Sequence, residues 1–287
     1  VNLFKRVQEE GVETKDIKQA FRKKELNKVG HTPHYMLKIK AFGNLELFRG
    51  RQKIEADEWT RKKAKELFKL FLVHYGELIS KEKICYYLWP DKKLEKASRS
   101  LYVVLNSLNK ILEPERESRT EPYFIVKRDN YYGLKKEFAY YYDASLFEEF
   151  ILQGKNSRSN KIKMNFYQEA FDIYKNDFLI DDLNNDWIIK ERERLEKKYL
   201  NISEKLMKYY YEIEKYEETL AIADQILNKN KFIEPAYLYK IMSYDQLGKK
   251  ALAITTYESC KRILAEELDI TPNQELKKYY KYLKISN

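Results

Sequence analysis

The chain has 287 residues and a formal net charge of +10; 44% of its residues are hydrophobic and 35% are charged. This length favours two domains, each with its own core. No apolar run approaches the roughly eighteen residues of a membrane span, and no secretory signal is recognised, so we expect no membrane partner. Cys85 and Cys260 lie far apart, each in a helical pattern. Buried free thiols in a reducing cytoplasm are therefore expected rather than a disulfide.

Patterns that support catalysis do not occur in the sequence. Glycine is scarce, at eight residues, and neither glycine-rich phosphate-binding motif is found. His31 and His34 have no cysteine or carboxylate beside them and form no ligand set. The acidic cluster at residues 181–186 is better suited to capping a helix that begins near Trp187 than to catalysis, because it lacks a partner base. We therefore expect that the protein is not an enzyme and that it has no catalytic residue, metal site or cofactor.

The positive charge is concentrated in the first half of the chain. Residues 1–35 carry 8 basic and 5 acidic side chains (+3), residues 36–140 carry 23 and 15 (+8), and residues 141–287 carry 24 and 25 (−1). Such an asymmetry indicates a polyanion-binding part joined to a neutral part. A general bias toward lysine would not explain why the excess ends near residue 140.

Short elements dominate the first half of the chain. Residues 1–35 have the pattern of one or two charged amphipathic helices followed by a linker. Strand-like runs follow at 36–42, 44–49 and 51–56, and glycine-containing turns separate them. The pattern therefore predicts a small sheet before the first long helix.

Three helices and a hairpin come next. Helical patterns occupy residues 60–76, 80–90 and 96–112, and Ser80 is the predicted N-cap of the second. Residues 122–138 alternate like a β-hairpin with a turn in the middle. Three helices followed by a two-stranded wing is the order of a winged helix-turn-helix.

The third helix, KASRSLYVVLNSLNKIL, has an outer face of small polar groups, one valine and a few cations. Its inner face is apolar, with Ala97, Leu101, Val104, Leu105, Leu108 and Leu112. Its outer face carries Lys96, Arg99, Ser100, Val103, Asn106, Ser107 and Lys110. A solvated helix in so charged a chain normally carries Glu–Lys pairs, so this face is expected to contact a partner.

Helices alone are predicted beyond Asp143, and part of this half is repeated. The segments EKYEETLAIADQIL and GKKALAITTYESCK start at Glu214 and Gly248, an offset of 34 residues. Pro235 and Pro272 are predicted to close the two units. An offset of 34 is the tetratricopeptide period, in which helix pairs stack side by side.

Together the two halves resemble the bacterial transcriptional activators of the antibiotic-regulatory-protein type, over residues 36–285. In the first half the matching segments are LKIKAFGNLEL, RKKAKELFKLFLVHYGELISKEKICYYLWPD, ASRSLYVVLNSLNKIL and YFIVKRDNYYGLK. In the second half they are DASLFEEFI, YKNDFLIDDLNNDWIIKERERL and LGKKALAITTYESCKRILAEELDITPNQEL.

The resemblance implies a mainly α fold with a small α+β part, a winged helix-turn-helix followed by a tetratricopeptide-like all-α domain. The expected divisions are an N-terminal extension or linker (1–35), a DNA-binding domain (36–140) and a bacterial transcriptional activation domain (141–287). The resemblance also implies a cytoplasmic protein that binds double-stranded promoter DNA and RNA polymerase. Self-association on direct repeats follows from the same resemblance. Residues 1–35 fall outside the resemblance, and we expect them to be the tail of an upstream sensory domain.

In this family the third helix enters the DNA major groove, where arginine, asparagine and small apolar side chains read base edges. The implied groove-facing residues are Arg99, Ser100, Val103, Asn106, Ser107 and Lys110. The implied phosphate and wing contacts are Arg61, Lys62, Lys63, Lys127, Arg128 and Asn130.

One departure from the family pattern leaves a second function open. Related winged helices often carry arginine where this chain has Ser107 and Asn109. The departure is compatible with an AT-rich target, with binding that needs a second protomer, or with an upstream signal. The alternative function is a signalling scaffold whose winged helix no longer binds DNA and whose repeats hold a peptide or protein. Arg99 has an alternative role as well, an ion pair with Glu95.

Overall fold

The computed structural model describes residues 35–117, 120–135 and 139–285. The helices predicted within residues 1–30 lie outside the described residues. The described part is mainly helical, with two small sheets in its first half, as the resemblance predicted.

The first half contains seven short strands and three helices in the described residues. The strands are β1 (Leu37–Lys40), β2 (Glu46–Arg49), β3 (Gln52–Lys53), β4 (Ile79–Ser80), β5 (Ile125–Arg128), β6 (Tyr131–Leu134) and β7 (Ala139–Tyr142). The helices are α1 (Lys62–Val73), α2 (Lys81–Leu88) and α3 (Leu94–Leu112). One sheet has the order β3-β2-β1-β7 and the other the order β4-β6-β5.

The three helices enclose an apolar core. The predicted inner face of α3 is buried throughout, and so are Leu67, Phe68 and Phe71 of α1. Ser80 is the N-cap of α2, as predicted, because its hydroxyl oxygen accepts a hydrogen bond from the Lys83 amide at 3.2 Å. His74 lies at the C-cap of α1.

The wing, which we define as β5, β6 and the turn between them, packs on the loop that follows α1. The two strands pair with Arg128 opposite Tyr131, so only Asp129 and Asn130 form the turn. Asp129 has φ of 52°, the left-handed conformation that such a two-residue turn requires. On its other edge β6 pairs with β4, and Gly133 lies against the Glu77 backbone. The wing is therefore held at its base and exposed at its tip.

The second half is built from helix pairs. Its described helices are α4 (Asp143–Asn156), α5 (Asn160–Ile173), α6 (Asp186–Glu212), α7 (Tyr216–Lys229), α8 (Glu234–Gln246), α9 (Lys250–Leu268) and α10 (Gln274–Ile285). The repeated segments form α7 and α9. Thr219 and Ala253, which coincide in the repeat register, are both fully buried. Their equivalence confirms the 34-residue repeat.

The prediction that two prolines close the repeat units is wrong. Pro235 lies in the first turn of α8, and Pro272 lies just before α10. Proline is tolerated there because the first amides of a helix have no partner within the helix. Pro235 therefore lies at the start of the helix that follows its repeated segment, and Pro272 lies two residues before the helix that follows the other.

The two halves are joined by backbone pairing. Strand β7, at the end of the first half, pairs in parallel with β1. The buried Asp143 carboxylate, at the start of α4, accepts hydrogen bonds from the amides of Ala41 and Phe42 at 2.8–3.0 Å. One hydrophobic cluster extends from β1 through α3 into α8, and a second lies within α8, α9 and α10. The expected boundary at residue 140 therefore falls within a strand of the first sheet.

The acidic cluster has a different role from the predicted one. The N-cap of α6 is Asn185, and no side chain caps this helix. Asp181 and Asp182 instead form ion pairs with Lys69 of α1. The prediction that they cap the helix is thus wrong, because a buried lysine distant in sequence binds them. Trp187 is buried, as expected of a packing anchor, and its ring lies 6.2 Å from that of Tyr87.

Candidate nucleic-acid interface

The centre of the candidate interface is the outer face of α3. Arg99, Asn106 and Lys110 are exposed, and Val103 between them is 50% exposed. Residues 96–112 contain no acidic side chain. The face therefore combines cations, one amide and one methyl-bearing side chain. These are the groups that can bind phosphates, adenine and the thymine methyl.

Ser100 and Ser107 lie at one edge of this face and are only partly exposed. The Ser100 hydroxyl donates to the Lys96 carbonyl at 3.1 Å. The Ser107 hydroxyl lies 3.1 Å from that of Thr60, just before α1. Both serines thus have partners within the protein, and Ser107 connects α3 to the segment that leads into α1.

Asn109 lies on a different side of α3 from the candidate contacts. It is only 8% exposed and sits among the core residues of the helix. A side chain at position 109 therefore points into the protein, and the lack of arginine there does not change the exposed face of α3. Of the two departures from the family pattern, only Ser107 bears on the outer face.

Arg99 does form the predicted ion pair with Glu95. Its guanidinium lies 2.5 Å from the carboxylate, one helical turn away, and both side chains are 78% exposed. An exposed pair of this spacing contributes about 0.3–0.5 kcal/mol, so it does not prevent Arg99 from binding another anion.

The start of α1 is a second cationic part of the interface. Arg61 is the N-cap, Lys62 begins the helix, and both are exposed. Lys63 is partly exposed and pairs with Glu66 at 2.6 Å. The first turn of α1 contains no acidic residue. Cations at the positive end of a helix dipole repel it, and a bound anion such as phosphate would relieve that repulsion.

The tip of the wing is the third part. Lys127, Arg128 and Asn130 are all exposed. The Asn130 carbonyl accepts a hydrogen bond from the Lys81 amide at 2.7 Å, so the tip is fixed to the start of α2. This contact uses the backbone of Asn130 and leaves its exposed side chain accessible to a ligand.

The C-terminal end of α3 is anchored to both sheets. Arg49, which is 8% exposed, donates to the Ile111 carbonyl at 3.2 Å, and the Tyr35 hydroxyl donates to the Leu112 carbonyl at 2.7 Å. The next residue, Glu113, is buried and accepts hydrogen bonds from two amides just before β5. These contacts fix the direction of α3 relative to the wing.

Sequence reasoning missed Tyr102 and Tyr131. Tyr102 lies at the edge of the α3 face opposite the serines, Tyr131 follows the wing turn, and each is 50% exposed. A helical projection of α3 could have found Tyr102, which falls one turn from Arg99 and Asn106. The sequence contains no signal for the exposure of Tyr131, because the alternating pattern of the hairpin does not show which end of a strand is exposed.

The remaining reactive side chains have structural roles. Burial raises the pKa of both Cys85 and Cys260, that of Cys260 to about 12, so both remain thiols. Across the residues that the structure covers, no three histidine, cysteine or carboxylate side chains group to hold a metal ion. Nor does any helix in that part of the chain have the length and apolar character of a membrane span.

The described residues have the fold of a winged helix-turn-helix followed by a half built from helix pairs. Residues 142–284 match the family model of the bacterial transcriptional activator domain. The second half of the chain therefore belongs to the bacterial transcriptional activator domain family, as the resemblance predicted.

A solved structure has the same fold. It is Mycobacterium tuberculosis EmbR in complex with a low affinity phosphopeptide, with a TM-score of 0.69 and 14% sequence identity. The match covers 87% of this chain and 65% of the EmbR chain, so this chain spans about two thirds of EmbR. No curated protein sequence matches this chain.

Proposed function

We propose that the chain is a sequence-specific DNA-binding regulator, an activator, that acts on promoter DNA in the cytoplasm. The outer face of α3 enters the major groove, Arg61 and Lys62 hold one phosphate strand, and the wing tip lies over the adjacent minor groove. One observation carries the proposal: the exposed face of α3 has no acidic residue from 96 to 112 in a chain that is 35% charged.

Hydrogen bonds within the protein hold the cationic parts of the interface in place. The hydroxyl contact between Thr60 and Ser107 connects the start of α1 to α3, and the Asn130–Lys81 hydrogen bond connects the wing tip to α2. Groups on separate elements are therefore held in one fixed arrangement before any ligand binds. Preorganisation of this kind lowers the entropic cost of binding.

The two halves of the chain are proposed to have different functions because they differ in net charge. Residues 36–140 carry +8 and are proposed to bind DNA, whereas residues 141–287 carry −1 and are proposed to bind protein. The proposed protein partner is RNA polymerase, and a second copy of the chain is the proposed neighbour on direct repeats. The residues before 36 are proposed to connect to a sensory domain.

A salt-dependent titration tests the proposal. The unmutated protein is titrated with duplex DNA, enriched by that protein from a random pool, at several salt concentrations. Binding that weakens linearly with the logarithm of salt concentration, and that is tighter than binding to a scrambled duplex, is expected. An absence of DNA binding at low salt would favour the scaffold function. The feature that points to that function is the serine at position 107, where related winged helices often carry arginine.

A further inference from the structure

A buried lysine in α1 connects the DNA-binding half to the helical half. The Lys69 side chain is 6% exposed, and its ammonium lies 3.2 Å from a carboxylate oxygen of Asp181 and 3.2 Å from one of Asp182. Both acids precede α6 in the helical half. A buried ammonium without a partner is strongly destabilised, so α1 keeps its position only while these acids remain in theirs.

The acids belong to a loop that is itself held firmly, the junction loop, residues 177–182. Arg192 on α6 donates hydrogen bonds to three backbone carbonyl groups of this loop. The loop also pairs with the chain after β1, where the amide of Leu179 donates to the Ala41 carbonyl at 2.8 Å. The junction loop therefore transmits the position of α6 to the first half.

Asp182 is charged in this arrangement. Burial raises its pKa, but the hydrogen bond from Asn185 and the charge of Lys69 together lower the pKa below its ordinary value of 3.8. Asn185 holds the carboxylate with two contacts, at 2.9 and 3.0 Å. The Asp182 carboxylate is therefore ionised near neutral pH.

The same face of α1 carries a stripe of lysines at helical spacing: Lys62, Lys65 and Lys69. Lys62, at the outer end, is exposed, and Lys65 lies 3.8 Å from the Asp181 carboxylate. The helical half therefore binds the inner end of a stripe whose outer end faces the DNA in the proposed function.

We propose that Lys69 is a positioning residue for DNA binding, through which Asp181 and Asp182 of the helical half fix the orientation of α1 and so of Arg61 and Lys62. This inference rests on the proposed function. A change in the helical half that moves the junction loop then changes the phosphate contacts of α1 without any contact between that half and DNA.

In the variant Asp182→Asn, the direction of the change in DNA affinity distinguishes two effects. Removal of a negative charge would by itself raise DNA affinity, whereas a loosened α1 lowers it. Asp181 remains to pair with Lys69, so this variant is the mildest change. We expect affinity to fall several-fold on both the enriched and the scrambled duplex, with a salt dependence shallower by about one unit for each phosphate that α1 no longer binds. Unchanged or increased affinity would overturn the inference.

Lys69→Met has a matched control in Lys240→Met. Lys240 forms an ion pair with Asp224 between α8 and α7, and its side chain is 20% exposed, so both changes remove one charge from a partly or fully buried lysine pair. We expect Lys69→Met to lower DNA affinity about tenfold and to reduce the salt slope, while Lys240→Met leaves both unchanged. Equal behaviour of the two variants would show that Lys69 is only a structural residue.

The charge-swapped chain, Lys69→Asp with Asp182→Lys, keeps the total charge and should recover part of the affinity that Lys69→Met removes. Failure of the unmutated protein to bind any duplex would overturn the proposed function and this inference with it. Normal binding by the unmutated protein together with normal binding by Asp182→Asn would overturn the inference alone.

Discussion

Substitution of Gly133 by alanine should displace the wing. An alanine Cβ at this position would lie 2.5 Å from the Glu77 carbonyl oxygen and 3.1 Å from a methyl of Leu78, whereas ordinary contacts begin at 3.4 Å. Because Glu77 contributes backbone, it cannot rotate away, and β6 must move off β4 by up to about 0.9 Å. Overpacking of this kind costs about 1–3 kcal/mol in unfolding free energy.

Thermal or urea unfolding measures the stability loss, and a DNA titration on the folded protein measures the displacement of the wing. We expect the melting temperature to fall by about 2–4 °C for each kcal/mol, and affinity to fall on enriched and scrambled duplexes alike. Gly154→Ala is the matched control, because its Cβ would meet the Tyr167 ring at 2.5 Å within the helical half. It should lower stability and leave DNA affinity unchanged. A Gly133→Ala protein with full stability would refute the close approach of β6 to residue 77.

Other changes test separate parts of the interface. Lys62→Ala or Arg128→Ala should weaken binding to the enriched and the scrambled duplex equally, and should reduce the salt dependence of binding by about one unit per phosphate no longer bound. A loss of affinity confined to the enriched duplex would contradict a phosphate role. Ser107→Arg should raise affinity in the same titration, since it adds a cation at the edge of the α3 face, and lower affinity would show that the Thr60 contact matters more. Burial, and next the nearby charge of Lys83, lower the pKa of His74 below 6.5. Unfolded chains therefore bind more protons, stability should decrease as the pH falls through 6.5, and His74→Gln should lessen that decrease in unfolding curves at several pH values.

The local elements were predictable from the sequence because short-range patterns determine them. The apolar face of α3 repeats at helical spacing, and Ser80 is a favourable N-cap residue in front of α2. The tetratricopeptide units were visible from two related segments alone. The exposed face of α3 was predicted for the same reason, apart from Tyr102.

Contacts between distant residues were not predictable. Asp181 and Asp182 had the composition of a helix cap, and nothing in the local sequence shows that Lys69, 112 residues away from Asp181, is buried against them. Asn109 looks polar and exposed, yet the turn of α3 places it toward the core. The pairing of β7 with β1 joins residues about a hundred positions apart, and a four-residue strand carries no signal for its partner.

The substitution Asn106→Ala tests most directly whether the outer face of α3 reads DNA sequence. Asn106 is exposed, so its truncation should leave the unfolding free energy nearly unchanged. Its amide can donate to and accept from one adenine, a contact of about 1–3 kcal/mol. The measurement is the ratio of affinities for the enriched and scrambled duplexes, with and without the substitution. We expect this ratio to fall by about fivefold to 150-fold, while binding to the scrambled duplex is unchanged. An unchanged ratio would show that this face does not read sequence.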